Sequence, residues 1–160
     1  MIKLSVTMKS FILALLSAAS VLFVLGLFTA CTGTASESYT YNVTTGDNIK
    51  VKLDITEGYS LRAELPFVIS HDGEKLSEGT FVYAEAYQQY VDVVNRSDGV
   101  DLLDQGTKDG NEYIFWCYNN SEYNYAILIK GSNTAILLGN PISRESAEEC
   151  FSRLTIILEE

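Results

Sequence analysis

The sequence predicts an α+β fold: an antiparallel β-sheet meander with a mid-chain helix and a C-terminal helix, arranged like an α/β/α sandwich. Three observations predict it. Apolar residues alternate with period two in successive runs separated by Gly, Asp and Asn turns, the mark of half-buried strands. The period changes once, to helical spacing, over residues 84–95. A second helical face closes the chain behind Ser143. Hairpin-linked strands with helices set apart give α+β rather than a parallel α/β sheet.

The elements follow in order. Residues 38–44 alternate Tyr39, Tyr41 and Val43 with polar neighbours. Thr45-Gly46-Asp47-Asn48 is a turn, and Ile49, Val51, Leu53 and Ile55 alternate again, which makes a hairpin. Glu57-Gly58 breaks it. A short strand is expected from Leu61 to Leu65, ended by Pro66, which has no N–H for a ladder. Phe67-Val68-Ile69 leads into the turn His71-Asp72-Gly73, and a strand from Thr80 to Tyr83 follows Gly79. Ala84, Tyr87, Tyr90, Val91 and Val94 then share one helical face, and Asp98-Gly99 ends that helix.

Val100 to Leu103 reads as a short strand. Lys108-Asp109-Gly110-Asn111 is a hairpin turn, because Asp-Gly tolerates the left-handed backbone of a two-residue loop. The strand 112–118 follows, then the turn Asn119-Asn120-Ser121. Residues 123–130 and 134–138 form a hairpin around Gly131-Ser132-Asn133, and Gly139-Asn140-Pro141 breaks the sheet. Ser143 caps a helix to about Leu154, with Glu145 in the first turn, where the dipole favours negative charge. Residues 155–158 are either the end of that helix or an edge strand.

Composition bounds function. The chain has 160 residues, 47% hydrophobic and 20% charged, with a formal charge of −10. The size fits one domain. The aromatic and apolar content exceeds that of a disordered chain. The acidic balance excludes nucleic acid as a partner, since a phosphate backbone needs a basic face.

The first thirty residues read as an address. Lys3 and Lys9 supply a positive start, Phe11–Ala30 is uncharged and apolar, and small residues precede Cys31. This is the order of a secretory signal. Met8-Lys9-Ser10 is an alternative start. The sequence Leu27-Phe28-Thr29-Ala30-Cys31 resembles a bacterial lipobox, with Ala30 and Cys31 matching the pattern and Phe28 standing where Leu is usual. That resemblance implies cleavage before Cys31 and a thioether-linked diacylglycerol on it. The alternative is an uncleaved helix, since roughly 20 apolar residues span about 30 Å. Either places the remainder outside the cytoplasm. A secreted eukaryotic protein is a third reading, because Asn42, Asn95 and Asn119 each sit in an Asn-x-Ser/Thr sequon.

The lipoprotein reading divides the chain into a signal peptide (1–30), a lipidated cysteine with a short tether (31–37) and one α+β domain (38–160). Loss of Lys3 and Lys9 leaves nine basic against 21 acidic residues, a charge of −12. The order of elements over about 39–158, with Gly46-Asp47-Asn48-Ile49-Lys50-Val51 at its opening, resembles the PsbP-like α/β/α sandwich. Proteins of that family do unrelated jobs, so the resemblance implies a fold and no site residues.

Chemistry-bearing constellations are few. With Cys31 acylated, Cys117 and Cys150 remain, either paired in a disulfide or buried separately as small hydrophobes. His71, the single histidine, lies in a predicted turn. There is no Cys-x-x-Cys, nucleophile elbow, zinc-protease helix or phosphate loop. Asp98, Asp101, Asp104, Asp109 and Glu112 form an acidic stretch without the calcium-loop spacing, and read as a solvated face. No catalytic residue, metal or cofactor is expected.

Ten tyrosines are the unusual feature. Tyr113, Tyr118, Tyr123 and Tyr125 flank one hairpin, either as core packing or as an exposed aromatic strip for a peptide or glycan. The strip predicts contiguous exposed rings. The expectation is therefore a lipid-anchored protein on the extracytoplasmic face of the cell membrane, a binding or accessory module. Its partner is the membrane through the lipid, together with a peptide, a glycan or an envelope protein. The alternatives are a structural subunit docked on an envelope protein and a small hydrolase of envelope material.

Overall fold

A computed structural model describes residues 35–159, in α+β form. The signal segment, Cys31 and most of the tether lie outside the described residues. Strand β1 (Ser36–Asn42) pairs antiparallel with β2 (Asn48–Asp54), opposing Tyr39 to Val51 and Tyr41 to Ile49. Ile49, Val51 and Leu53 point inward and are fully buried. A 3-10 turn (Thr56–Gly58) follows, then β3 (Tyr59–Arg62), β4 (Phe67–His71) and β5 (Glu74–Tyr83). Helix α1 (Ala84–Arg96) is next. Strands β6 (Val100–Lys108), β7 (Asn111–Tyr118), β8 (Glu122–Leu128) and β9 (Thr134–Asn140) form the meander. Helix α2 (Arg144–Arg153) runs straight into β10 (Leu154–Glu159).

Two antiparallel sheets result. The smaller has the order β1-β2-β10, the larger β3-β4-β5-β9-β8-β7-β6. Period-two alternation gives the larger sheet two apolar faces. Phe115, Tyr125, Ile127, Ile136 and Leu138 face the smaller sheet and α2. Ile114, Trp116, Ala126 and Ala135 face α1, which covers them with Tyr87, Tyr90 and Val94. One helix therefore lies on each face of the larger sheet, and the smaller sheet shares a face with α2. Residues 34–160 form one compact unit, and both clusters draw on residues 41–156 of it, so this segment holds its own core and folds without the residues before it.

Polar side chains stitch the two sheets. Buried Asn111 donates from Nδ2 to Ile156 O at 2.9 Å and accepts from Lys130 N at 3.0 Å. The tip of the first hairpin is held by Asp47, whose Oδ2 accepts from Asn133 N at 2.8 Å and Thr134 Oγ1 at 2.7 Å. Ser143 caps α2 as expected, its Oγ accepting from Ser146 N at 3.1 Å.

Several boundaries differ from expectation. The strand placed at 61–65 is Tyr59–Arg62, and Ala63–Leu65 is an exposed link. Strand β5 begins at Glu74, six residues before Thr80, because the Asp72-Gly73 turn folds polar residues back onto β4. Here Phe67 lies over Gly79, where a Cβ would stand 2.0 Å from its ring. Strand β6 continues past Leu103 to Lys108 through a bulge between Leu102 and Asp104. As an edge strand it pairs through its backbone, so its exposed polar residues need not alternate. Residues 154–159 are an edge strand beside β2, not the end of the helix.

Candidate functional site

The tyrosines flanking the β7–β8 hairpin do not form an exposed strip, and that expectation is corrected. Tyr113, Tyr123 and Tyr125 lie on the inner face of the sheet, with Tyr125 only 3% exposed. Phe115 stacks on Tyr125 at 4.1 Å with ring planes 5° apart, and Tyr125 stacks on Phe151 of α2 at 4.1 Å. Tyr113 meets Phe151 at 4.8 Å. Helix α2 must bury Ala147, Cys150 and Phe151, and it does so on this aromatic layer. Burial pushes the Tyr125 phenol well above its ordinary range, then Glu148 adds to the shift. Tyr118, one step out of phase, is 44% exposed and stands alone.

The cysteines are two buried free thiols, and the disulfide alternative is corrected. Cys117 on β7 opposes Tyr123 on β8, which opposes Asn140 on β9. Cys150 lies against the hydroxyls of Ser77 on β5 and Ser146. Ser77 is three strands from Cys117, about 14 Å at the usual strand spacing. A disulfide needs Cα atoms within about 7 Å. Burial raises the Cys150 thiol, which keeps it protonated and inert.

A polar cleft of about 530 Å³ lies at the Ser36 end of β1, and His71 stands outside its lining, behind Glu57. The His71 Nε2 is 2.9 Å from Glu57 O, and its ring lies 4.6 Å from that of Tyr59. The hub is Arg153, whose side chain is 10% exposed. Its guanidinium donates to Glu149 Oε1 at 2.7 Å, to Thr56 O and Oγ1 at 3.1 Å, and to Glu57. It stacks over Tyr59 at 4.0 Å. Asp54 Oδ1 accepts from Thr56 N and Oγ1 at 2.9 and 2.7 Å, and the backbone bond is the larger cause of its lowered pKa. These bonds clamp the 3-10 turn to α2. The guanidinium is engaged by its own neighbours, and His71 touches a backbone carbonyl rather than a nucleophile.

A second cleft, of about 290 Å³, lies at the other end of β1. Val43, Leu65, Pro66 and Phe81 form apolar walls. Asn42, Thr44 and Thr80 give it a polar rim. Leu65 is 58% exposed. Tyr41 is not part of the lining; it belongs to the core, 7% exposed, and packs against Phe81 at 5.1 Å and Phe67 at 6.1 Å. Its hydroxyl is buried without a hydrogen-bond partner. Burial pushes that phenol up to about 12, with smaller contributions from Tyr39 and Glu64. Sequence reasoning missed this cleft, because its walls come from three separate segments and carry no motif. The one local signal was an apolar Leu65 beside a strand-breaking Pro66.

The acidic stretch lies mostly along β6 and its turn. Asp104 accepts from Tyr113 Oη at 2.8 Å and from Gln105 N at 2.8 Å. Among the described residues, no group of three or more His, Cys, Asp or Glu is set to hold a metal ion. Among them, too, no helix is long and apolar enough to cross a membrane. No protein-family model matches the chain, and no curated protein is similar to it.

Proposed function

We propose that the chain is an extracytoplasmic lipoprotein, held at the cell membrane through Cys31, whose domain is a binding or accessory module rather than an enzyme. The observation that carries the binding-module part of this reading is the cleft with apolar Val43, Leu65, Pro66 and Phe81 beside polar Asn42, Thr44 and Thr80. Concave apolar sites with a few placed polar groups are the usual form of small-ligand sites.

On this reading the position of the cleft relative to the anchor follows. Ser36 opens β1 and Asn42 closes it, roughly 20 Å away at the rise of a strand. Five residues from Cys31 to Ser36 reach at most about 18 Å. The polar cleft beside Ser36 thus lies on the lipid side, and the apolar cleft points outward. A charge of −12 keeps the domain off anionic headgroups within a Debye length of about 8 Å. The hydrolase alternative has less to support it, because His71 meets a backbone carbonyl and the Thr56 hydroxyl is tied up between Asp54 and Arg153.

Toluene titrated into isotope-labelled residues 34–160, followed by amide NMR, tests the binding part. Saturable shifts centred on Val43, Leu65 and Phe81 are expected, and Leu65→Asp abolishes them while the domain stays folded, since Leu65 is exposed. Scattered, unsaturable shifts contradict the reading.

A further inference from the structure

We propose that the outer edge of β1 is a docking edge, where an extended basic segment of a partner protein adds as a fourth strand and sets an apolar side chain in the cleft at the Asn42 end. The inference rests on the binding-module reading and adds the kind of partner.

The backbone of the edge comes first. Strand β1 ends the three-stranded sheet, and its pairing with β2 runs from Ser36 to Asn42 without a bulge. Ile55 N donates to Ala35 O and Val43 N to Asp47 O, both at 3.0 Å. Bonded pairs alternate along an antiparallel ladder, so Glu37, Tyr39 and Tyr41 are the residues bonded to β2. Ser36, Ser38, Thr40 and Asn42 turn their N–H and C=O groups outward, and all four are exposed. Among the described residues, no strand pairs with that side.

The other three sheet edges are taken up by their own neighbours. On β10, Leu154 O and Ile156 O accept from Lys108 and Asn111. On β3, Tyr59 N donates to Thr56 O and Leu61 N to Glu37 Oε2. On β6, the bulge breaks the edge and Gln105 N donates to Asp104 Oδ1. Proteins blunt an edge with charge, proline or a bulge, and the outward residues of β1 carry none of these. A bare, regular edge is what strand addition uses.

Side chains add a second term. Tyr39 alternates in phase with Tyr41, yet it is 37% exposed where no strand lies beyond it. Asn42, the last of the outward residues, also lines the apolar cleft with Leu65. An added strand covers Tyr39 with alternate side chains and places one of them in the cleft.

Charge selects a basic segment. Near the edge, Glu37 and Glu64 are offset by Lys52 and Arg62. The −12 of the whole domain then decides, and it draws a positive partner.

The probe is a seven-residue peptide of alternating Val and Thr with Lys at both ends, titrated into isotope-labelled residues 34–160. Amide hydrogen exchange by NMR is the readout. Exchange at Ser38, Thr40 and Asn42 is expected to slow at least about tenfold, while Tyr39 and Tyr41, already bonded to β2, change little. N-methylating the Val set and the Thr set separately should abolish binding in one case and spare it in the other, since one set alone faces β1. A peptide with Glu in place of Lys should bind about three- to tenfold more weakly at low salt, a gap that closes near about 0.5 M salt. Leu65→Ser should weaken the Lys peptide about five- to tenfold. Uniform protection along β1, binding that survives both methylations, or equal affinity for the Glu peptide overturns the inference. So does a dimer of residues 34–160 that shows the alternating protection without peptide, which gives the edge to a second copy. If the peptide fails to bind while toluene still shifts Val43, Leu65 and Phe81, the inference falls and the binding module stands. If neither binds, both fall.

Discussion

Asp47 joins residues far apart in the chain through one carboxylate oxygen. Its Oδ2 accepts from Thr45, Asn133 and Thr134, and the Thr134 bond is the largest cause of its lowered pKa. A carboxyl whose folded pKa lies below its unfolded value stabilises the fold above about pH 4. That contribution is lost as the pH falls through the folded value. Urea unfolding from pH 6 to pH 2 should therefore show stability falling on the acid side, and Asp47→Asn should flatten part of that slope. An unchanged slope contradicts the role given to Asp47. Arg153 makes a second long-range tie, from α2 to the 3-10 turn. Arg153→Met keeps the packing over Tyr59 and loses the charged hydrogen bonds, at a cost of about 1.5–3 kcal/mol, measured by urea denaturation at pH 7. In the sequence, Asp47 was legible as a turn residue, whereas Arg153 carried no signal beyond lying within the expected last helix. Their partners, 87 and 97 residues away, were not legible.

Elements were legible where local chemistry decides them. Asp109-Gly110, with φ of 53° and 87°, turns the β6–β7 hairpin as the dipeptide implies. The Ser143 cap and the helical face of 84–95 came through for the same reason. Strand ends set by pairing alone did not, as the polar halves of β5 and β6 show. The tyrosines failed for a different reason. Alternation puts Tyr113, Tyr123 and Tyr125 on one face but cannot say that α2 covers it. Phe151→Ala should cost about 3–4 kcal/mol, because it opens a cavity beside the rings of Tyr113 and Tyr125. A loss below about 1 kcal/mol contradicts the layer. The β6 edge carries its own guard, since Asp104 takes the Gln105 N–H beside exposed Leu102. Asp104→Ala should raise concentration-dependent association over wild type in sedimentation velocity. Identical profiles remove that role from Asp104.

On the scale of the whole molecule, β1 separates two unlike ends. The Ser36 end carries a polar cleft lined by the ion pairs of Arg153, and the far end an apolar cleft. The proposed anchor gives that polarity its direction, because a short tether holds one end near lipid and presents the other. The fold was readable as α+β from periodicity, whereas the outward cleft assembles only when the first hairpin, the Leu65 link and β5 meet. The central claim rests on Cys31. The intact mass of the protein purified from membranes of a bacterial host tests it most directly. The account predicts an N-terminus at Cys31 bearing diacylglycerol, residues 1–30 removed, and no mass change on reduction, since Cys117 and Cys150 are free. A mass that retains residues 1–30 and carries no lipid contradicts it.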